Sequence, residues 1–277
     1  MPARALRRLF PIIEKIAPKY ASKLAWYFFL HPIKYPIPQP EVDCRNKSSR
    51  WKEQHEGHNV KVYLWGNKES ENKVLLVHGW AGRTTQYWKI IDELSSLDYA
   101  IYGVDFPGHG GSEGNSTNIP QMAKIINELI DKYDINHLVG HSLGGAASIY
   151  ALQKSASKIE KLILISAPTS GELMLNDYLN KLNGRSVSLK TVQKNVQETF
   201  NQPLNSFFAE EILPINNFPE TLAFHDHEDQ EVGFEHLQIL VRHINNILTV
   251  ETDHLGHTKI LRNEEVISKI SSFLQIA

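Results

Sequence analysis

Val139-Gly140-His141-Ser142-Leu143-Gly144-Gly145 decides how this chain is read. The apolar run Ile135-Asn136-His137-Leu138-Val139 leads in, and an alanine-rich run, Ala146-Ala147-Ser148-Ile149-Tyr150-Ala151-Leu152, leads out. Strand, tight turn, helix is the context in which Gly-x-Ser-x-Gly forms a nucleophile elbow. Such a turn forces Ser142 into a strained backbone conformation, and only small residues fit two positions before and after it, hence Gly140 and Gly144. The hydroxyl is then held at the N-terminus of a helix, whose N–H groups and dipole favour negative charge. The competing reading is a glycine-rich β-to-α turn with a passenger serine.

Around this turn, strands and helices alternate. Trp51 to Glu56 and Val60 to Trp65 flank Gly57-His58-Asn59 and predict an antiparallel hairpin at a sheet edge. Lys73 to His78 and Ile159 to Ile165 are continuous apolar runs, as expected of parallel strands covered on both faces. Tyr99 to Val104 predicts another strand; Thr84 to Leu97 and Asn118 to Tyr133 predict helices, the latter with Pro120 in its first turn. After Ala167-Pro168 the rhythm changes. Glu172 to Leu182, Leu189 to Phe200 and Asn205 to Ile212 predict short helices with no strand between them, a small helical lid over about 168–217. Alternation resumes with a strand at Thr221 to His225, a helix at Phe234 to Ile244, a strand at Asn246 to Val250 and a helix at Glu264 to Leu274. The pattern predicts an α/β fold with a mostly parallel sheet and helices on both faces.

The bulk composition is that of an ordinary globular chain. Of 277 residues, 42% are hydrophobic and 22% charged, and the net charge of −2 gives no sign of a nucleic-acid binder. One cysteine, Cys44, excludes an internal disulfide and a cysteine-based zinc site, and suits a cytoplasmic setting. The N-terminus departs from the average. Residues 1–35 hold seven Lys/Arg against one acid, Glu14, a balance of about +6 that leaves about −8 for the rest. Leu6, Leu9, Phe10, Ile13, Ile16 and Tyr20 recur at helical spacing, with Pro11 and Pro18 expected to break the segment into two short pieces. The run Leu24 to Leu30 is far shorter than the roughly 20 residues that cross a bilayer, and no small-residue cleavage site marks a signal peptide. Residues 1–40, ending in a proline-rich linker, therefore read as a basic amphipathic arm ahead of a main domain over 41–277. Such an arm either packs on that domain or lies on an anionic membrane.

A nucleophilic serine needs a base to take its proton and an acid to hold that base, and in elbow folds these follow in the order acid, then histidine. Asp226-His227-Glu228-Asp229 follows the strand ending near His225. Asp229 is the choice for the acid, because three or four residues past a strand end a side chain can turn inward; Asp226 would cap the turn. The loop after the last strand holds Asp253-His254-Leu255-Gly256-His257, from which His257 is chosen as base, with His254 in reserve. A metal site on His225, Asp226, His227 and Asp229 is disfavoured, since adjacent ligands on one turn rarely close a site. The oxyanion needs two donors: the N–H of Leu143 beside the nucleophile, and that of Trp80 in His78-Gly79-Trp80-Ala81-Gly82, whose side chain would line the pocket or pack in the core. No cofactor is implied.

Taken together, HGWAG at 78–82, DFPGHGGS at 105–112, GHSLGG at 140–145, HDHEDQEV at 225–232 and GHTKIL at 256–261 resemble the α/β-hydrolase superfamily. HGW with GHSLGG is similar to the carboxylesterase branch that includes the pimeloyl-carrier-protein methyl ester esterases. The resemblance covers roughly residues 50–277. It implies Ser142, Asp229 and His257 as triad, Trp80 and Leu143 as oxyanion residues, and structural roles for Asp105 and His109. Gly233 stands where many relatives have proline, which does not touch the triad. A serine nucleophile disfavours dehalogenase and epoxide-hydrolase chemistry. It leaves cleavage of a carboxylic ester as the leading expectation, with thioesterase, lactonase, C–C hydrolase and cofactor-free peroxidase on the same triad as alternatives. A non-catalytic ligand-binding protein on this scaffold is the rival of another class. The expected partner is a small-molecule ester or acyl substrate, with peripheral membrane contact through residues 1–35 as the second expectation.

Overall fold

Alternate residues of the central strands feed two different cores, which is why those strands read as unbroken apolar runs. Leu75 and Val77, Leu138, and Leu162 and Leu164 join one cluster; Val74 and Leu76, Val139, and Ile163 and Ile165 join the other. The computed structural model describes residues 3–184 and 186–275. The chain runs α1 (Ala3–Ile16), α2 (Pro18–Leu30), α3 (Gln39–Asn46), β1 (Ser49–His55), β2 (His58–Gly66), β3 (Lys73–Val77), α4 (Trp88–Ser95), β4 (Ala100–Asp105), α5 (Ile119–Tyr133) and β5 (His137–His141). It continues with α6 (Leu143–Ser155), β6 (Lys161–Ile165), α7 (Gly171–Leu182), α8 (Ser186–Phe200), α9 (Ala209–Ile212), β7 (Glu220–Asp226), α10 (Glu235–His243), β8 (Ile247–Thr252), α11 (Gly256–Lys259) and α12 (Glu264–Gln275). The eight strands form one sheet in the order β1-β2-β4-β3-β5-β6-β7-β8, antiparallel at β1-β2 and β2-β4 and parallel thereafter.

Register places the functional loops. Val77 pairs with Gly140, so the loops after β3 and β5 leave the sheet side by side. Asp226 pairs with Thr252, so the loops after β7 and β8 do the same. All four loops emerge at the carboxyl edge of the parallel strands, where open α/β sheets bind their ligands.

Two expectations need revision. Pro11 does not break the first helix: α1 continues through it, and the break falls at Ala17, with Pro18 starting α2. A mid-helix proline costs about 3 kcal/mol. Burying a phenylalanine contributes about 1.5–3 kcal/mol, and the neighbouring Phe10 is fully buried. The proline-rich segment is also less of a free linker than its composition suggests. Pro40 lies in the first turn of α3, and Trp65 Nε1 donates to Cys44 O at 2.8 Å to hold that helix down. Arg83 then ties the segment to the loop after β3. Its Nε donates to Glu41 Oε2 at 2.6 Å, and its Nη1 and Nη2 donate to the carbonyls of Tyr35 and Pro36 at 3.2 Å each.

The stretch between β6 and β7 is helical, as expected, though its third piece divides into a 3₁₀ turn at Leu204–Phe207 and α9. The N-terminal arm lies against it. Ala21 and Ala25 of α2 are fully buried, Tyr178 Oη of α7 donates to Ala25 O at 2.7 Å, and the Phe29 and Tyr178 rings meet edge to face at 5.5 Å. Among the described residues no helix is long and apolar enough to cross a membrane.

Candidate active site

Ser142 links β5 to α6 with φ +53° and ψ −131°, a conformation that non-glycine residues avoid unless their surroundings impose it. The surroundings do so through close backbone approach. A Cβ on Gly144 would lie 2.2 Å from Val77 O, one on Gly140 would lie 2.7 Å from Gly145 Cα, and one on Gly79 would lie 2.6 Å from Ser142 Cβ. The serine therefore sits between loops packed to contact, at the first turn of a 13-residue helix.

Two histidines brace this floor from beneath. His78 donates from Nδ1 to Gly79 O at 2.8 Å and accepts at Nε2 from the Phe106 N–H at 3.1 Å. His109 donates from Nδ1 to Pro107 O at 3.1 Å and accepts at Nε2 from the Ala81 N–H at 3.0 Å. Accepting at one nitrogen requires the neutral ring. Burial lowers both pKa values, that of His109 to about 3 with help from nearby His78. The loop between them carries Trp80, whose ring stacks edge-on against His109 and lines the cavity. Among the described residues the N–H groups of Trp80 and Leu143 donate to no protein acceptor. Asp105 is structural, accepting from the Thr84 and Gly111 N–H groups and from Tyr63 Oη.

The two residues expected to serve as acid and base come together on the other side. His257 Nδ1 donates to Asp229 Oδ2 at 2.7 Å, while Asp229 Oδ1 accepts from the N–H groups of Glu231 and Val232 at 2.8 and 3.0 Å. Burial by itself would raise this carboxyl. The His257 hydrogen bond and the two backbone donors outweigh it and hold Asp229 well below the ordinary aspartate range. Asp226 ends β7 instead. It accepts from the Glu228 and Leu255 N–H groups and from Thr252 Oγ1, clamping the loop after β7 to the loop after β8. His254 points outward, 81% exposed, against Glu228 at 2.8 Å.

His257 and Ser142 open onto one cavity of about 570 Å³. Among the described residues the Ser142 hydroxyl has no hydrogen-bond partner; in ligand-free sites that contact is often loose and tightens in the complex. The four residues weighed for a metal face different partners. His225 Nε2 donates to Val232 O, His227 meets Glu251, Asp226 clamps the turn, and Asp229 faces His257.

Three contributions were not read from sequence. Buried His141, its pKa pushed down to about 3 by burial and by neighbouring His257, donates from Nε2 to His257 O at 2.8 Å and so fixes the base loop. His225 fixes the acid loop through Val232. Its place beside a candidate loop was the only signal for either. The third is the cavity roof, built from Phe28, Phe29, Ile33 and Tyr35 of the arm together with Tyr178 and Phe207 of the helical stretch. The arm shows only amphipathic spacing, which does not say what its apolar side covers.

An elbow serine on a parallel sheet, with an Asp–His pair on the last two strand loops, defines the class. Residues 72–216 match the family described as alpha/beta hydrolase fold, and the chain belongs to that family. The match takes in Trp80, Ser142 and Leu143 and ends before Asp229 and His257. Among curated proteins, the putative methylesterase 15, chloroplastic, of Arabidopsis thaliana is 34% identical over 101 residues, 34% of this chain and 23% of that one. The putative esterase/lipase 3 of Mycoplasma pneumoniae is 33% identical over 116 residues, 40% and 42% of the two chains. The chain thus spans less than half the length of the curated relatives it matches. Among solved structures, the Pyrococcus furiosus esterase Pf2001 superposes with a TM-score of 0.65 at 18% identity, over 88% of this chain and 96% of that one.

Proposed function

We propose that this protein hydrolyses carboxylic esters through an acyl-enzyme on Ser142, with His257 as general base and acid and Asp229 as its orienting carboxylate. The observation that carries the reading is the 2.7 Å Asp229–His257 hydrogen bond facing the cavity that also holds the strained Ser142. With Nδ1–H committed to Asp229, the His257 Nε2 lone pair is free to accept the serine proton. Ser142 Oγ attacks the ester carbonyl carbon, and the carbonyl oxygen takes the negative charge. The N–H groups of Trp80 and Leu143, free of protein acceptors and next to the first turn of α6, suit that charge. His257 then gives its proton to the leaving alcohol. A water deprotonated by the same ring attacks the acyl-serine and releases the acid. Ester cleavage is favoured over the alternatives because relatives named as esterases recur among the matches.

A fluorophosphonate probe and a series of p-nitrophenyl esters test it. Wild type is expected to be labelled and to turn over esters, and Ser142→Ala to do neither. Labelling that persists in Ser142→Ala, or no turnover of any ester, overturns the reading.

A further inference from the structure

The roof that closes the cavity is also the stickiest outer surface of the molecule. Among the described residues ten large hydrophobic side chains are exposed, and eight of them lie between Leu9 and Ile37. Leu9, Ile12 and Ile16 fall on one stripe of α1; Tyr20 and Tyr27, seven residues apart, fall on one stripe of α2. Ile16 is 77% exposed and Tyr20 61%. Scattered apolar residues are ordinary on a surface; a concentration on one short segment marks a site of association.

Charge says what it associates with. Every exposed charged side chain from residue 8 to residue 40 is basic: Arg8, Lys15, Lys19, Lys23 and Lys34. The one acid there, Glu14, is buried. The rest of the chain is net acidic, so the segment carries a charge opposite to that of the remainder. Exposed apolar side chains interspersed with lysines are the pattern that lies in the headgroup region of an anionic bilayer, where each nearby lysine adds about a fivefold preference.

Position ties this face to the catalytic cavity. The same segment turns inward at its end, where Phe28 and Phe29 line the cavity and Ile33 and Tyr35 line it while remaining exposed, 38% and 53%. Arg83 anchors the Tyr35 and Pro36 carbonyls to the loop that carries Trp80. Exposed apolar side chains thus recur along one segment from Leu9 to Tyr35, and the last part of that segment lines the cavity that holds Ser142.

We propose that the outer face of residues 8–37 docks on an anionic lipid surface, and that the substrate class is the acyl esters held in that surface. The acyl chain leaves the bilayer past Ile33 and Tyr35 and enters the aromatic cavity without crossing water. The substrate half of this inference rests on the ester-hydrolase reading; the docking half does not.

The full chain is floated with vesicles of phosphatidylcholine containing phosphatidylglycerol and with vesicles of phosphatidylcholine alone, with turnover of a soluble p-nitrophenyl ester measured in parallel. Expected is co-flotation with the anionic vesicles that weakens as salt is added. The triple substitution Lys15→Glu, Lys19→Glu, Lys23→Glu should lower partitioning by roughly 100-fold or more. Ile12→Asp with Ile16→Asp should release the protein as well. Both variants change exposed positions away from the cavity and should keep soluble-ester turnover within about twofold, while hydrolysis of a vesicle-borne acyl ester falls with binding. Absence of flotation, or flotation equal in wild type and both variants, overturns the proposal. So does self-association that the Ile12/Ile16 change abolishes while vesicles remain unbound, which would give the face to a second copy. Vesicle binding without soluble-ester turnover supports the docking surface and overturns the catalytic reading.

Discussion

The floor and the roof of the cavity are held by different physics. In the floor, positions are set by backbone contact and directed hydrogen bonds. A Cβ on Gly144 would meet Val77 O at 2.2 Å, and the Asp229–His257 pair accepts three further hydrogen bonds, from Glu231, Val232 and His141, while His225 holds the Val232 carbonyl. In the roof, Phe28, Phe29, Tyr178 and Phe207 are placed by packing, with Tyr178 Oη to Ala25 O the one directed bond between α7 and α2 among the described residues. Reaction geometry tolerates errors of tenths of an ångström, whereas an apolar wall must only exclude water and fit a chain. The molecule therefore places its strain and its buried polar groups below the substrate and its adaptable side chains above.

The contrast can be broken from below. Asp229→Asn should lower kcat on a soluble ester by about 10³–10⁴-fold, because the imidazole loses its fixed tautomer. Asp226→Asn should cost far less, and equal losses in the two variants would show that the acid had been misassigned. Acid attacks the floor as well. Burial holds His109 and His141 down to about 3, so the folded chain keeps them neutral while the unfolded chain protonates them below about pH 6.5. The unfolded state then binds more protons, and stability should fall as pH drops from about 6.5 toward 4, by about 1.4 kcal/mol per pH unit for each histidine. Urea midpoints at pH 7 and pH 5 measure this, and an unchanged midpoint refutes it. Gly144→Ala should destabilise by about 3 kcal/mol, as read by the urea midpoint, through overlap with the β3 backbone. From above, the effects should be smaller. Phe28→Ala should leave short-chain ester turnover within about threefold and shift the long-to-short preference by about tenfold. A loss of short-chain activity matching that of Asp229→Asn would erase the distinction between floor and roof.

Much of the floor, though not the bracing by His141 and His225, was readable in the sequence because its constraints act over a few residues. A glycine two places either side of a serine, an apolar run before it and an acid three residues past a strand end are local facts. Choosing Asp229 over Asp226 as the candidate acid needed only the geometry of a turn; in the structure Asp229 Oδ2 accepts from His257 and Asp226 Oδ2 from Thr252. The roof was not readable, since an amphipathic stripe has the same spacing whether it faces protein or lipid. Tolerance of Pro11 depends on the burial of Phe10, which involves partners far along the chain. Helix α3 was missed because QPEVDCRN has little apolar periodicity and is held by Trp65 and Arg83 instead. The exposed edge strand β8 was found only approximately, since half its side chains face solvent and its apolar run is short.

The bond from Tyr178 to Ala25 joins residues 153 positions apart. A chain elongating at roughly 5–20 residues per second therefore makes α2 about 8–30 s before it makes the residue that caps it. Throughout that interval the inner face of α2 has no partner from the helical stretch. The partner of α2 is in turn made before β7 and β8, so the roof contact can form while the loops that carry Asp229 and His257 are still to be synthesised.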